Sequence, residues 1–309
     1  MQNLNLWQII FLALLQGVTE LFPISSLGHT VILPGLFHWE NITTDTACGG
    51  DSCFLPMITA LHFGTCVALL IYFWRDWLQV AKTLVVSIKE GEVRRNSEEW
   101  VSWLIIIGTI PAAVLGVFLE KKLKTLFASP LLTATFLFVN GSLLFLGESL
   151  RRRAEANLKN LSPKEREAHF RPLASLTWKE AIFVGLAQAL ALIPGFSRSG
   201  ATMVAGLRVR LTHEDAARYS FLLATPVIFG ASIIEVPYLF NQDRFPLGLI
   251  FLGMVLAGVA AYLSTKFLTK YFEKGRLDPF AYYCWATGLI SLFLFIFIIK
   301  APQNLWLQP

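Results

Sequence analysis

Charged residues are scarce in this chain. Asp, Glu, Lys and Arg supply only 15% of its 309 residues, whereas 55% are hydrophobic. Because water-soluble domains carry about a quarter charged residues, the composition excludes a soluble globular protein. Apolar runs of the length that crosses a bilayer, roughly 17 to 25 residues, recur at 57–75, 101–119, 129–147, 217–236, 246–265 and 281–300. We therefore expect an all-α polytopic membrane protein.

Basic residues are missing before the first apolar stretch, and no small-residue cleavage site follows it. A signal peptide needs both, so we expect this stretch to remain in the mature protein. The net charge is +5, but basic residues that flank membrane spans account for it. We therefore do not expect nucleic acid as a partner; membrane lipids surround the chain instead.

Cysteines are also few, with four in the chain. Cys66 and Cys284 lie inside apolar runs, where small apolar packing is expected. Cys48 and Cys53 lie in the polar sequence CGGDSC, which either closes a disulfide on an oxidising side or holds two free thiols. The surrounding loop, 41–54, indicates no function.

The distribution of Lys and Arg predicts which loops face the cytoplasm. Basic residues are concentrated in 76–100, 148–177 and 266–280, whereas 37–56 has none and 237–245 has only one. The positive-inside rule places the first three segments in the cytoplasm and the other two outside. The short loop 120–128 is an exception, because it would lie outside although it carries three lysines.

Two further apolar segments, 6–37 and 178–211, are interrupted near their middle by FPISSLGH and IPGFSRSG. Each half is too short to span, and irregular backbone at membrane depth needs protein or a polar cavity around it. Both segments are therefore predicted to be re-entrant hairpins whose breaks meet in a shared cavity. The result is an inverted-topology repeat, in which each half is a broken-helix hairpin plus three transmembrane helices. Repeat one covers 1–147, a cytoplasmic linker covers 148–177, and repeat two covers 178–309.

Ionisable residues inside membrane segments are functional candidates by default, and here they cluster at the breaks. Glu20 and His29 flank the first break and Arg198 lies in the second. Hydroxyl groups surround them at Ser25, Ser26, Ser197, Ser199 and Thr202. An Arg fork, hydroxyls and helix N-termini are suited to bind phosphate. We therefore predict an anionic headgroup at the midplane, with Glu20 and Arg198 within a few ångströms of a common point.

The glycines of both breaks are expected to let a phosphate approach the backbone, because helices should begin near Gly28 and near Gly200. Gln16 and Glu20 share a helix face, which suits a divalent cation, Mg²⁺ or alternatively Ca²⁺, held jointly with the substrate's phosphates. The alternative is that both residues hydrogen-bond a neighbouring helix.

Ser26 is a candidate nucleophile, with Glu20 or His29 as its base, although a helix cap is the alternative role. His29 is equally compatible with nucleophile, general acid or structural hydrogen bond. Other polar residues in apolar surroundings are expected to form interhelical hydrogen bonds, and Arg residues beside the second hairpin to anchor it at the cytoplasmic face. The polar residues are His62, Asn140 and Gln188, and the arginines are Arg208, Arg210 and Arg218. For His62 and Gln188, lining the cavity is the alternative.

Two motifs resemble those of the undecaprenyl-diphosphatase family, also called bacitracin resistance protein. The first motif is Gln16, then Glu20 four residues later, then PISSLGH. The second is PGFSRSGAT at 194–202. The segment SFLLATPVIFGA at 220–231 also resembles a span of the family. The resemblance runs nearly end to end. It implies a phosphoric anhydride hydrolase of the bacterial inner membrane that converts undecaprenyl diphosphate to undecaprenyl phosphate, recycling the lipid carrier for cell-wall synthesis.

The resemblance also implies residue roles. Its catalytic group is Glu20, Ser26, His29 and Arg198. Together with the residue chemistry above, the predicted phosphate-binding set is Ser25, Ser197, Ser199, Thr202, Gly28 and Gly200. Gln16 is the variant of an otherwise acidic position, which weakens a metal site there. Bacitracin sequesters the same lipid and would compete for it.

Two rival functions are weighed. A lipid transporter or flippase without hydrolysis shares the broken-helix repeat architecture, but it needs no serine beside a base. The type 2 phosphatidic acid phosphatases need a His shortly after their Ser-Arg pair, and here the first His after Arg198 is His213. The side of substrate entry and the oligomeric state stay open, and a homo-oligomer is compatible with the sequence.

Overall fold

The computed structural model describes residues 5–39, 54–95, 97–126, 129–158, 162, 169–240 and 246–299, without the side chains of 120–126, 238 and 240. Within these residues the chain is helical and contains no strand, only one isolated bridge between Arg171 and Leu211. The choice between a Cys48–Cys53 disulfide and two free thiols, and the loop 41–53, lie outside the described residues. The predicted loop 120–128 is helical through Leu126, and the side chains of its lysines are outside the description.

Each predicted break separates two short helices, and longer helices follow each pair; the first half has one helix, Trp74–Glu90, in addition to the three spans predicted there. In chain order the helices are α1 Leu6–Thr19, α2 Ser26–Leu36, α3 Phe54–Tyr72, α4 Trp74–Glu90, α5 Glu98–Leu126, α6 Pro130–Asn157, α7 Trp178–Ala189, α8 Arg198–Arg208, α9 His213–Glu235, α10 Pro237–Phe240, α11 Leu247–Phe272 and α12 Asp278–Phe293.

Six of the described helices are long and apolar enough to cross a membrane. The spans are Phe54–Tyr72, Glu98–Leu119, Pro130–Asn157, His213–Glu235, Leu247–Phe272 and Asp278–Ile298. The chain is therefore a multi-pass membrane protein, as the composition predicts.

Several helices extend beyond the predicted spans, among them α5, which ends at Leu126 instead of 119, and α11, which ends at Phe272 instead of 265. Helix α4 occupies most of a segment predicted as a loop; it begins directly after Phe73 and ends at Glu90, where Gly91 with φ 68° caps it. Helix α6 continues to Asn157, well beyond the predicted end at 147. Hydropathy locates the edge of the apolar layer, whereas a helix can continue into polar surroundings when its charged residues find partners.

The two broken hairpins are equivalent in sequence register. Their first helices begin at Leu6 and Trp178, and their second helices cover Ser26–Leu36 and Arg198–Arg208, so one constant offset relates both helices. The second helices are also capped alike, because the hydroxyl of the serine before each accepts a hydrogen bond from the backbone N–H three residues later.

Packing between the halves is reciprocal. Helix α1 packs on α11 of the second half, and α7 packs on α5 of the first half. Glycine permits both contacts, since a Cβ at Gly17 would lie 2.3 Å from the Ala257 carbonyl oxygen, and one at Gly185 would lie 2.3 Å from that of Gly108. Each broken hairpin is thus held by a span of the opposite half. The inverted orientation of the repeats stays a prediction.

Charged residues at one end of α6 join several connecting segments. The Glu148 carboxylate is fully buried and accepts hydrogen bonds from His213 Nε2 at 2.9 Å, Arg276 Nη1 at 3.1 Å and Leu277 N at 3.0 Å. Arg276 also pairs with Glu155 at 2.7 Å. Arg218, predicted as a membrane anchor, forms an ion pair with Asp76. The basic residues here therefore stabilise helix ends as well as marking a membrane face.

Candidate active site

A cavity of about 420 Å³ lies where the two breaks meet. Helices α3, α5, α7 and α9 contribute the rest of its wall. Five of the predicted site residues line it, namely Glu20, Ser25, Ser26, Ser197 and Arg198. The prediction that the breaks share a cavity is confirmed.

Glu20 is the hydrogen-bonding centre of this cavity. Its Oε1 accepts from Arg198 Nη2 at 2.9 Å, and its Oε2 accepts from the Ser26 hydroxyl and from Gln16 Nε2 at 3.2 Å. His62 Nε2 lies 3.0 Å from the same Oε2. The carboxylate is buried, and the three donors Arg198, Ser26 and Gln16 compensate for the water that it loses.

The Glu20–Arg198 pair joins residues from opposite halves of the chain, as predicted. Both side chains are buried, with relative exposures of 6% and 9%. Arg198 is oriented further by the Ser220 carbonyl, which accepts from its Nη1 at 3.3 Å. Protein groups therefore hold the guanidinium in position. Because Arg198 lines the cavity, its guanidinium is suited to bind an anion there.

Ser26 lies at the start of a helix and next to a carboxylate that can act as a base. It is the first residue of α2, it lines the cavity, and its hydroxyl donates to Glu20. The capping function belongs instead to Ser25, which has φ 68° and accepts from Gly28 N at 3.1 Å. The helix-cap role that the sequence left open for Ser26 is therefore filled by Ser25, and the Ser26 hydroxyl is hydrogen-bonded to Glu20 instead.

The backbones of the two breaks are bound to each other by side chains. Asn140 on α6 donates to the Pro23 carbonyl at 3.1 Å and accepts from Ser197 N at 3.0 Å. The Ser199 hydroxyl donates to the Phe22 carbonyl at 3.1 Å. The interhelical role expected of Asn140 is confirmed, and its effect is to fix the distance between Glu20 and Arg198.

His29 lies outside the cavity wall, although the sequence grouped it with the catalytic residues. Its Nδ1 is 2.7 Å from the Ser25 carbonyl oxygen and its Nε2 is 2.8 Å from the Tyr283 hydroxyl. The His29 and Tyr283 rings also stack, with centroids 5.6 Å apart. Of the roles left open for His29, this geometry favours the structural hydrogen bond, which supports the strained backbone of Ser25.

The predicted phosphate-binding glycines are engaged in packing. The N–H groups of Gly28 and Gly200 donate to the serine caps, both at 3.1 Å. A Cβ at Gly200 would lie 3.3 Å from Pro23 Cβ of the other break. Thr202 is buried behind the cavity, where its hydroxyl donates to Ser220 Oγ at 2.7 Å. These residues, with Ser199, shape the breaks and do not line the cavity.

The residues at the site do not form a protein-built metal centre. Among the described residues, no group of three or more His, Cys, Asp or Glu side chains is placed to hold a metal ion. Both oxygens of Glu20 already accept hydrogen bonds, and Gln16 presents its amide N–H to that carboxylate. A cation would have to rely on the substrate's own phosphate oxygens and water for its other ligands.

Three cavity residues were not predicted as part of the site. The interhelical contact expected of His62 is confirmed, because its Nε2 lies 3.0 Å from Glu20 Oε2 at the end of α1, while its Nδ1 lies 2.8 Å from the Ile58 carbonyl oxygen of its own helix. Gln188 and Glu235 also line the cavity. The signal that could have found His62 is the rule that titratable groups inside a span are functional candidates.

The remaining wall of the cavity is apolar and partly made of small residues. Ala112, Gly116 and Val117 line it from α5, and Gly230 and Ile234 line it from α9. A Cβ at Gly230 would meet nothing within 4 Å. The cavity therefore combines a charged end at Glu20 and Arg198 with open apolar space, as an amphipathic ligand requires.

Comparison with known proteins identifies the family. The family described as "Bacitracin resistance protein BacA" matches residues 9–290 of the chain. The chain belongs to this family. A BacA-family relative from Burkholderia thailandensis, undecaprenyl-diphosphatase 2, is 46% identical over 297 residues, which cover 95% of this chain and 98% of the relative.

Other BacA-family relatives are similar over comparable lengths. Undecaprenyl-diphosphatase from Acidiphilium cryptum is 44% identical over 294 residues, covering 93% of this chain and 97% of that protein. Undecaprenyl-diphosphatase 2 from Frankia alni is 39% identical over 336 residues, covering 94% and 98%. The BacA match includes both breaks and the six candidate spans except the last residues of the sixth.

Proposed function

We propose that the chain is an undecaprenyl-diphosphatase, which hydrolyses undecaprenyl diphosphate to undecaprenyl phosphate and inorganic phosphate. The observation that carries this proposal is the Ser26 hydroxyl donating to a buried carboxylate that also pairs with Arg198. The names of the family relatives point to the same reaction. Transport without hydrolysis would leave this serine and its base unexplained, and no observation favours it.

In the first step Ser26 attacks the terminal phosphorus of the diphosphate. The Oγ–P bond forms, the bond from that phosphorus to the bridging oxygen breaks, and undecaprenyl phosphate leaves with the bonding electron pair. Glu20 accepts the serine proton, because its Oε2 already holds that hydroxyl. Arg198 stabilises the negative charge that accumulates on the phosphoryl oxygens.

In the second step water attacks the phosphorus of phosphoserine, and the Oγ–P bond breaks. Glu20 accepts the proton of the water, and Ser26 regains its own proton as inorganic phosphate forms. His62 completes the proton path: a carbonyl only accepts, so Nδ1 donates to Ile58, and in the neutral imidazole the lone pair of Nε2 faces Glu20. Nε2 takes over the serine proton from Glu20 before water attacks, and this proton returns to Ser26 when the Oγ–P bond breaks. His62 is therefore placed to hold the proton that Glu20 takes up.

The apolar part of the cavity is proposed to hold the first isoprene units of the lipid. Gly116 and Gly230 leave room for chain methyl groups, and the surfaces of both spans continue toward lipid with exposed apolar residues such as Phe118 and Ile233. A substrate that stays partly in the bilayer can thus present its headgroup to the charged end.

A divalent cation, Mg²⁺ or alternatively Ca²⁺, is proposed to accompany the substrate. The diphosphate supplies several oxygen ligands, whereas the protein offers no cage among its described residues. No step above depends on the ion. Dialysis against chelator, followed by stepwise return of Mg²⁺ or Ca²⁺, tests whether hydrolysis needs it.

The cellular setting is part of the same proposal. A carrier-lipid phosphatase belongs in the bacterial inner membrane, where it supplies undecaprenyl phosphate for cell-wall synthesis. Bacitracin, by sequestering the diphosphate, would compete for its substrate.

The experiment is phosphate release from undecaprenyl diphosphate by the purified protein in detergent. We expect the wild type to release phosphate, and Ser26→Ala and Arg198→Ala to lose most of this activity. A wild type that binds the lipid but releases no phosphate would overturn the proposal in favour of transport.

A further inference from the structure

Gln188 is a buried amide on the cavity wall without a protein partner. Its side chain lines the same cavity as Glu20, Ser26 and Arg198, and the residue is only 2% exposed. Neither its Nε2 nor its Oε1 finds a hydrogen-bond partner among the described residues. Buried polar groups are almost always satisfied, so an amide in this state indicates a ligand.

The position of Gln188 is fixed by the helix that carries it. The buried stripe of α7 runs through Ala181, Val184 and Gly185 to Gln188, so the amide ends an otherwise apolar face. One turn earlier, Gly185 approaches the backbone of Gly108 too closely to admit a side chain. Helix α7 therefore cannot rotate the amide away from the cavity without losing this contact.

The equivalent residue in the first hairpin shows what Gln188 lacks. The constant offset between the hairpins pairs Gln188 with Gln16, whose Nε2 donates to Glu20 four residues later. Four residues after Gln188 the chain has Leu192, which offers no acceptor. The second hairpin thus has the amide, Gln188, but a leucine in place of the carboxylate. The amide N–H of Gln188 can therefore donate to a ligand that enters the cavity.

We propose that Gln188 binds the diphosphate headgroup, with Nε2 donating to a phosphate oxygen and Oε1 accepting from a protonated phosphate oxygen or water. This assignment rests on the proposed function. The neighbouring wall already carries the positive charge of Arg198. A neutral amide can therefore orient the phosphate through directional hydrogen bonds without adding a second fixed charge. Gln188 is in this sense a substrate-binding residue that orients the group attacked by Ser26.

The test compares Gln188→Met, which keeps the side-chain length but removes both polar atoms, with a matched control. The control is Thr65→Val, because Thr65 is also fully buried with an unpartnered hydroxyl but does not line the cavity. Each variant is measured for kcat and KM on undecaprenyl diphosphate, and for its melting temperature with and without that lipid.

We expect Gln188→Met to melt no lower than wild type without lipid, because an unsatisfied amide has been removed. Its kcat/KM should fall roughly 10- to 100-fold, the range for a lost hydrogen bond to a charged group, and the lipid should raise its melting temperature less than that of the wild type. Thr65→Val should keep wild-type kinetics and the full lipid-induced shift.

A second variant covers the case in which Gln188→Met does not fold. Gln188→Glu has the same size but places a carboxylate beside the diphosphate, so it should lose still more affinity. Unchanged kcat/KM and an unchanged lipid-induced shift in either folded variant would overturn the assignment. If the wild type melts higher with lipid yet releases no phosphate, the proposed function fails while the binding role of Gln188 is still decided by the shifts.

Discussion

Replacing Ser26 by alanine is the change whose consequences follow most directly from the structure. The substitution removes one hydroxyl from a buried carboxylate, but Glu20 Oε2 keeps Gln16 Nε2 at 3.2 Å and His62 Nε2 at 3.0 Å, and Oε1 keeps Arg198. The loss of one charge-assisted hydrogen bond costs about 1 to 3 kcal/mol. Because other donors remain, we expect the low end of that range and a folded protein.

The effect of Ser26→Ala on catalysis should be far larger than its effect on stability. Without the attacking oxygen no phosphoserine can form, and only the positioning by Arg198 and the cavity remains. We expect kcat to fall about 10³-fold or more, which corresponds to roughly 4 kcal/mol of barrier. The assay is phosphate release in detergent, with melting temperatures measured on the same preparations.

Ser232→Ala is the matched control for this prediction. Ser232 is 4% exposed, close to the 5% of Ser26, but its hydroxyl donates to the Ile228 carbonyl of its own helix at 2.8 Å. We expect this variant to keep wild-type activity. If Ser26→Ala retained more than a tenth of the activity, Ser26 would not be the nucleophile.

Three further predictions concern other parts of the site. His62→Ala should lower kcat about 100-fold with a smaller change in KM, since an acid–base group typically contributes 10² to 10⁴; an effect on KM alone would contradict the proton role. Gly230→Leu should raise KM for the undecaprenyl lipid more than for short-chain prenyl diphosphates. Gly248 also has open space around it but does not line the cavity, so Gly248→Leu should leave both KM values unchanged. Equal effects of Gly230→Leu on both lipids would refute tail binding at Gly230. Tyr283→Phe should cost about 1 kcal/mol of stability and lower kcat by less than about threefold. Thermal unfolding and phosphate release measure the two effects. A large loss of kcat at unchanged stability would return His29 to the catalytic group.

Much of this site could be predicted because broken helices and charged side chains are energetically unfavourable in a bilayer, so that their presence indicates a function. Broken helices and buried charges are rare in lipid, so FPISSLGH and IPGFSRSG with Glu20 and Arg198 indicate a shared polar site. The 2.9 Å pair between these two residues confirms that inference.

His29 shows what the sequence could not decide. It stands three residues from Ser26, but it turns away from the cavity to Tyr283, a residue 254 positions later. For His62 the sequence predicts an interhelical hydrogen bond or a place on the cavity wall, but it does not identify the partner, Glu20, which lies at the end of another helix. Proximity in sequence places a residue on a helix, whereas packing against distant helices determines which way its side chain points.

Helix lengths were predicted less well than helix positions. Hydropathy ends the third span at 147, but Glu148 is fully buried and, with Glu155, pairs with Arg276, so α6 continues into a charged network. Such pairs are not visible in the local sequence, because their partners come from a connection far along the chain.

Attack on the terminal phosphorus at this site is tested most directly with purified wild type and undecaprenyl diphosphate in ¹⁸O-labelled water, with Ser26→Ala and Arg198→Ala measured in parallel. We expect equal amounts of inorganic phosphate and undecaprenyl phosphate, with the label only in the inorganic phosphate, and little product from either variant. Label in the lipid phosphate, or full activity in either variant, would contradict attack on the terminal phosphorus at a site shared by the two breaks.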